Sequence, residues 1–316
     1  MFSLRRMSKT AFLFAGQGAQ IVGMGQDLAA QFPEAKAWFD RANAALGYDL
    51  AGICFNGPDA ELTKTEHAQP GIFLVSWVCL ELLKARVPGL KADATAGLSL
   101  GEFTALTAAG AMSFEDGLRV VRQRGKFMQE ACEATRGGMA AIIGLDETLT
   151  REVCTEAGVV LANLNCPGQL VISGAAEKIT KACELAKGRG AKRALPLPVA
   201  GAYHSPLMAS AQPKLQGELG RINISAPTVP VISNVSAQAH GSASEISARL
   251  VEQVCASVRW EESMRALLAQ GYTRFIELGP GSALSGFMKR IDKSVLMLNV
   301  ADSASLERTM KCLTTG

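Results

Sequence analysis

Few side chains in this 316-residue chain can start a reaction, and Ser99 stands out among them. It lies in Gly97-Leu98-Ser99-Leu100-Gly101, a G-x-S-x-G pentapeptide. In a nucleophile elbow such a serine sits on a sharp turn from strand to helix, and the flanking glycines let the backbone pass close without Cβ clashes. The short apolar run Ala94–Ala96 predicts the strand, and the small-residue stretch Glu102–Ala109 predicts the helix. The N-terminus of that helix would turn unpaired N–H groups and a positive dipole end toward a developing oxyanion. The pentapeptide taken alone also fits a purely structural turn.

A serine nucleophile needs a base, and histidine suits neutral pH. The chain has three. His67 lies in the polar approach to a helix, and His240, in Gln238-Ala239-His240-Gly241-Ser242, reads as part of an exposed loop. His204, in Gly201-Ala202-Tyr203-His204-Ser205-Pro206, follows a strand directly among turn residues and is favoured. The aspartates between Ser99 and His204 are Asp116 and Asp146, neither after a strand of the main sheet, so no triad acid appears in chain order. A third group comes from the helix after Ser113. Arg119 and Arg122 have polar helical neighbours and read as facing solvent, whereas Arg124 has Val120, Val121, Phe127 and Met128 three and four residues away. A guanidinium on an apolar face requires a partner. That partner is either a structural carboxylate or the carboxylate of a substrate gripped in bidentate fashion.

The elements that must position these groups alternate along the chain. A strand over Thr10–Phe14 enters the glycine-rich loop Gly16-Gln17-Gly18. Helices are expected over Val22–Gln31, Ala35–Ala45 and Gly71–Arg86, then the elbow, then a long helix from an N-cap at Ser113, with Asp116 three residues on, to about Ala134. This pattern predicts an α/β fold with a mainly parallel sheet. Between Gly138 and Val199 the order becomes β-α-β-β-α-β, with strands over Gly138–Leu145, Val159–Asn165, Gln169–Gly174 and Lys192–Val199. We therefore expect a large, α/β-hydrolase-like domain from residues 1–134 and 200–316, interrupted by a small ferredoxin-like domain over 135–199. The α/β pattern resumes with strands at Val229–Asn234 and Arg274–Leu278.

Composition narrows the function. The chain is 48% hydrophobic and 19% charged with a net charge of +3, ordinary for a large globular unit and too small a charge to argue for nucleic acid. Eight cysteines at irregular spacings without a CxxC pair read as reduced, mostly core thiols, and the three histidines lie near no cysteine cluster that could hold zinc. No stretch is read as the roughly 20 apolar residues that cross a bilayer. Arg5, Arg6 and Lys9 precede an apolar run too short for a signal peptide, so a cytoplasmic protein is expected, or an organelle stroma or matrix protein if the N-terminus is a targeting remnant with Met7 as an alternative start. No exposed apolar helix face stands out, and a monomer is the default.

Five motifs then come in one order: Ala15-Gly16-Gln17-Gly18-Ala19-Gln20, Gly97-Leu98-Ser99-Leu100-Gly101-Glu102, Gln123-Arg124-Gly125-Lys126-Phe127-Met128, Gly201-Ala202-Tyr203-His204-Ser205 and Glu277-Leu278-Gly279-Pro280-Gly281. Over residues 10 to 300 or so the chain resembles the malonyl-CoA:acyl-carrier-protein transacylases. The resemblance implies Ser99 as nucleophile and His204 as base. It implies an oxyanion hole from the N–H groups of Gln17 and Leu100, and Arg124 as the clamp on the malonyl carboxylate. It further implies Met128 and Tyr203 as substrate-binding residues, and the backbone carbonyl of Arg259 as the group that orients His204. Malonyl-CoA is then a substrate, an acyl carrier protein the partner, and no metal or cofactor is called for. The family usually has Pro where Ala15 stands, His where Leu98 stands and Phe where Tyr203 stands; the change at Leu98 bears on acyl selectivity. Other readings are a discrete acyltransferase of a polyketide synthase, a thioester hydrolase, and an inactive carrier-binding protein.

Overall fold

A computed structural model describes residues 9–315; the expectations about Arg5, Arg6 and Met7 lie outside the described residues. Nine strands occur among those residues: β1 Lys9–Phe14, β2 Ala94–Gly97, β3 Gly137–Ile143, β4 Val160–Cys166, β5 Gln169–Ala175, β6 Arg193–Pro196, β7 Val231–Ile232, β8 Tyr272–Leu278 and β9 Leu296–Val300. They form two sheets.

The first sheet is parallel throughout, in the order β7-β2-β1-β8-β9. β1 is buried along its whole length except Lys9, as a central parallel strand covered by helices on both faces must be. All its loops of interest leave the carboxyl ends of strands: residues 15–18 after β1, the Ser99 turn after β2, Ser233–Asn234 after β7 and Gly279–Gly281 after β8. In open α/β sheets that edge is where ligands bind. The Glu277-Leu278-Gly279-Pro280-Gly281 motif has a structural task there. The Glu277 carboxylate accepts the N–H groups of Leu284 and Ser285 and so caps the helix Ala283–Ile291.

The second sheet is antiparallel, in the order β4-β5-β3-β6, with the helices Glu147–Ala157 and Ala176–Gly188 packed on it around their own core of Ile142, Val153, Ile172 and Ile179. It is tied to the main body at one edge, where Leu164 N–H donates to the Val258 carbonyl and Val258 N–H to that of Ala162.

Three expectations change. The strand expected over Val229–Asn234 is paired only at Val231–Ile232, which leaves Asn234 free to serve the site. The helix expected from Gly71 starts at Thr65 and runs through Pro70 to Arg86. Proline lacks one N–H, but its fixed φ is helical, so neighbours packed around it can carry the helix past it. This 22-residue helix is long and apolar enough to cross a membrane by length and composition, contrary to the sequence expectation. It is instead a core helix, 78% of its most apolar window being buried inside the protein, because it packs against the Phe114–Ala134 helix and the main sheet. Six of the eight cysteines are buried free thiols; Cys255 is half-buried and Cys312 exposed.

Candidate active site

The turn after β2 is tight enough to need its glycines. A Cβ on Gly97 would lie 1.9 Å from the Gly101 carbonyl carbon, and one on Gly16 would lie 2.4 Å from the Leu98 carbonyl oxygen. The 15–18 loop is thereby pressed against the elbow. Ser99 itself has φ 54° and ψ −104°, a conformation that costs a non-glycine residue on the order of 1–3 kcal/mol. Asn234 holds it there: its Oδ1 accepts the Ser99 N–H at 2.6 Å, and its Nδ2 donates to the Gly97 carbonyl at 2.8 Å. Leu100 is the first residue of the helix Leu100–Ala108, so its N–H belongs to the turn whose donors have no intrahelical acceptor. Gln17 lines the cavity in front of Ser99.

Ser99 Oγ lies 2.8 Å from His204 Nε2. His204 Nδ1 lies 2.9 Å from the backbone carbonyl of Gln253, which fixes the tautomer: Nδ1–H donates to the carbonyl and Nε2 is left to accept the serine proton. The expected carbonyl, that of Arg259, is elsewhere. Arg259 is the N-cap of the helix Trp260–Ala269, and its carbonyl accepts from Ser263 N–H and Oγ. A carbonyl engaged in starting a helix cannot turn to the histidine. Gln253, at the end of the helix Ala243–Gln253, takes the role. Burial and the nearby Arg124 charge hold His204 down, to about 4, so the imidazole is neutral near pH 7.

Arg124 is 1% exposed. Its Nη1 donates to Gln69 Oε1 at 2.7 Å, and its Nη2 donates to Gln253 Oε1 at 2.9 Å and to Ser99 Oγ at 3.1 Å. Each of these acceptors is a neutral oxygen. Arg124 Nε has no hydrogen-bond partner among the described residues. Burial lowers the guanidinium to about 10, which leaves it charged at neutral pH. Of its helix neighbours, Arg119 is exposed as expected. Arg122 is half-buried, its guanidinium 5.1 Å from the Tyr48 ring, so it does not simply face water.

These groups open onto a cavity of about 600 Å³. It is lined by Gln17, Ser99 and Arg124 and by Met139, Asn163, Val171 and Leu197 of the small-sheet segment. Met128 and Tyr203 line it too. The Tyr203 hydroxyl pairs with Thr65 Oγ1 at 2.5 Å and accepts from Gln17 Nε2 at 3.3 Å. Burial pushes this phenol up to about 12, so it acts only as a neutral hydrogen-bonding group. Leu98 is half-buried and also lines the cavity.

Sequence reasoning missed four site residues, Gln69, Glu102, Asn234 and Gln253. It also misplaced His240. That residue is buried rather than exposed, with Nε2 2.6 Å from Glu102 Oε1 and neither side chain accessible to solvent. Its segment folds back on the main sheet, His240 N–H donating to the Val231 carbonyl, and the Glu102 carboxylate supplies the partner that makes burial affordable. The available signal was Glu102 itself, a carboxylate in a helix otherwise made of apolar and small residues.

The chain is similar to known proteins over nearly its whole length. A family model described as an acyl transferase domain matches residues 11–311. The malonyl CoA-acyl carrier protein transacylase of Bacillus subtilis is 48% identical over 312 residues, covering 97% of this chain and 98% of its own. The solved malonyl CoA-acyl carrier protein transacylase of Coxiella burnetii superposes with a TM-score of 0.93 at 38% identity, covering 97% of this chain and 98% of that one. A malonyl-transacylase solved in complex with a type II PKS acyl-carrier protein superposes equally well, with a TM-score of 0.93 at 39% identity over 96% of this chain and 100% of that one.

Proposed function

The chain belongs to the malonyl CoA-acyl carrier protein transacylase family, within the acyl transferases, and we propose how its residues move a malonyl group from coenzyme A to the thiol of a carrier protein. Ser99 Oγ attacks the thioester carbonyl carbon while its proton passes to His204 Nε2. The oxyanion is taken up by the N–H groups of Gln17 and Leu100. The C–S bond then breaks, and the coenzyme A sulfur leaves with the proton from His204. The thiol of the carrier's phosphopantetheine arm next gives its proton to His204 and attacks the malonyl-Ser99 ester, and Ser99 recovers the proton as it leaves. Every proton in this scheme is handled by His204, and no further cofactor is needed.

One observation carries the reading: a buried guanidinium, satisfied only by neutral oxygens, beside the Ser99–His204 pair. A structural arginine at this depth would be expected to face a carboxylate. Arg124 has room for one, and malonyl supplies it. A charge-assisted pair of this kind contributes roughly 1.5–3 kcal/mol, or about ten- to a hundredfold and more in selectivity over a neutral acyl group. The same pairing offsets the positive charge beside His204, which eases formation of the imidazolium during acylation.

The small-sheet segment, 135–199, is read as a ferredoxin-like domain inserted between 1–134 and 200–316 of an α/β-hydrolase-like one; the β-α-β-β-α-β order and the shared cavity support this. We place the chain in the cytoplasm as a monomer, feeding fatty acid synthesis. The test of function is direct. Mixed with malonyl-CoA, the protein should gain a single malonyl group on Ser99, stable over minutes and discharged by a carrier-protein thiol. Rapid loss of the group to water without thiol would make the protein a hydrolase instead. Retention of the label in Ser99→Ala would refute the nucleophile.

A further inference from the structure

Behind Ser99, on the side away from the cavity, lies a second buried polar cluster that the acyl-transfer scheme does not use. Glu102 is wholly buried in the first turn of the helix that follows the nucleophile. Its Oε1 faces His240 Nε2 at 2.6 Å. Its Oε2 accepts the Asn234 N–H at 3.0 Å and the Gln253 side-chain Nε2 at 2.7 Å. Gln253 is the point where this cluster meets the reacting groups. Its Nε2 also donates to the Ser99 carbonyl at 2.9 Å, its Oε1 accepts from Arg124, and its backbone carbonyl accepts from His204.

An amide can be turned end for end, and the two orientations of Gln253 would do opposite things to Arg124. With Oε1 forward, the guanidinium has a neutral acceptor that holds Nη2 near Ser99. With Nε2 forward, two sets of N–H donors would face each other with no acceptor between them. Gln253 has two Nε2 hydrogens, and the Glu102 carboxylate and the Ser99 carbonyl accept one each. The Ser99 carbonyl is a single weak determinant. The Glu102 side chain is the decisive one, because its Oε2 already accepts the Asn234 N–H and so presents an acceptor to Gln253.

We propose that Glu102 is a positioning residue for acyl selectivity: held by His240, it fixes the Gln253 amide so that Oε1 presents Arg124 to the acyl carboxylate beside Ser99. The inference rests on the reading of Arg124 as the carboxylate clamp. Glu102 touches neither substrate nor reacting atoms; it reaches Arg124 through Gln253, while its bond to the Asn234 N–H supports the Ser99 turn and bears on both substrates alike. Arg124 keeps Gln69 as its other acceptor, so losing the orientation misaims the guanidinium without expelling it.

The experiment compares kcat/KM for malonyl-CoA and acetyl-CoA. Glu102→Leu, similar in size but without an acceptor, should lower the malonyl value on the order of 10- to 100-fold, the scale of misplacing a binding group. The acetyl value should fall only a few-fold. Glu102→Gln should restore most of the ratio, since its amide oxygen can accept from Asn234 and Gln253 while its NH2 donates to His240 Nε2, the imidazole taking the tautomer with its proton on Nδ1. In a Gln253→Leu background the Glu102→Leu change should leave the ratio unmoved, because the group it acts through is gone. Equal losses on both substrates from Glu102→Leu, with Arg124→Ala still losing malonyl transfer selectively, would overturn the proposal. Equal losses from Arg124→Ala would overturn the clamp itself. Should Glu102→Leu not fold, the parent protein answers the question by nuclear magnetic resonance. The two Gln253 Nε2 protons, identified by their absence in Gln253→Leu, should be separate and slow to exchange with solvent. Rapid exchange or averaging of the pair would mean that the amide is not held.

Discussion

Two buried histidines flank the nucleophile, and they are built in opposite ways. His204, on the cavity side, is aimed by a neutral backbone carbonyl and sits near a positive charge. His240, behind the elbow, is paired with the Glu102 carboxylate. A search for a catalytic histidine by its acidic partner would choose His240, and the geometry rejects that choice: Ser99 Oγ meets Nε2 of His204. A carboxylate beside His204 would raise its basicity and also repel the incoming malonyl carboxylate from the same small space. A carbonyl orients the ring without adding negative charge. The carboxylate serves the scaffold, where it anchors the turn and no substrate charge has to approach.

The comparison is broken most easily at the two histidines. His204→Ala should lower malonyl transfer by at least about 100-fold, the scale of a lost general base. His240→Gln, which can still donate to Glu102, should stay within about tenfold while lowering the thermal midpoint. If single-turnover acylation showed the larger loss at His240, the two roles would have to be exchanged.

The next effect is on selectivity. Arg124→Ala should cripple malonyl transfer and leave acetyl transfer unchanged or improved, and Arg124→Lys should rescue little because an ammonium cannot match both carboxylate oxygens in one plane. Arg119→Ala is the control, since that residue is exposed, whereas Arg122 packs against Tyr48. A parallel fall for both substrates would leave Arg124 a structural residue.

A third test uses pH. The base works deprotonated, so acylation should fall as pH drops through the folded pKa of His204, about 4, and not through the ordinary 6.5. Arg124→Ala removes the second cause of the depression and leaves burial, so its acid limb, measured with acetyl-CoA, should move upward part of the way toward 6.5. Stability follows the same sign. The unfolded chain takes up a proton that the buried ring refuses, so this contribution to stability is full above 6.5 and is lost as pH falls toward 4. An acid limb near 6.5 in the parent would contradict the buried, cation-flanked base.

What was legible in the sequence divides along physical lines. Ser99, His204 and Arg124 announce themselves locally, by a glycine-flanked turn, a post-strand histidine and a charge on an apolar helix face. Strands of the small sheet were placed within a few residues because alternation and turns are local too. The missed residues act through contacts across the fold. Gln253 meets Ser99 across 154 positions, and Asn234 meets it across 135. Gln69 was hidden because the helix was expected to begin only at Gly71, when it begins at Thr65. The Arg259 carbonyl was carried over by resemblance of sequence position, and only the cap geometry shows that it is already occupied.

The smallest expected effect concerns the hydroxyl of Tyr203, on the cavity side of the same comparison. Tyr203 precedes the base, and its ring lines the cavity, a role that phenylalanine would fill as well. The hydroxyl adds one link, pairing with Thr65 Oγ1 and accepting from the Gln17 side chain, whose own N–H is assigned to the oxyanion hole. Gln17 is not left free without it. Its Oε1 accepts from Gln69 Nε2 at 3.3 Å, and Thr65 Oγ1 lies 3.5 Å from its Nε2. Tyr203→Phe therefore removes one of several weak constraints on the 15–18 loop, and a neutral hydrogen bond of this kind contributes about 1 kcal/mol net. Acylation should slow by a few-fold, in kcat rather than KM, with the malonyl-to-acetyl ratio unchanged because Arg124 and Gln253 are untouched. A change in that ratio would show that the hydroxyl reaches the acyl group itself, and would move Tyr203 from the loop support to the selectivity apparatus. No change in kcat at all would mean that Gln69 and Thr65 suffice to hold Gln17, and that the aromatic ring is the whole of the residue's contribution.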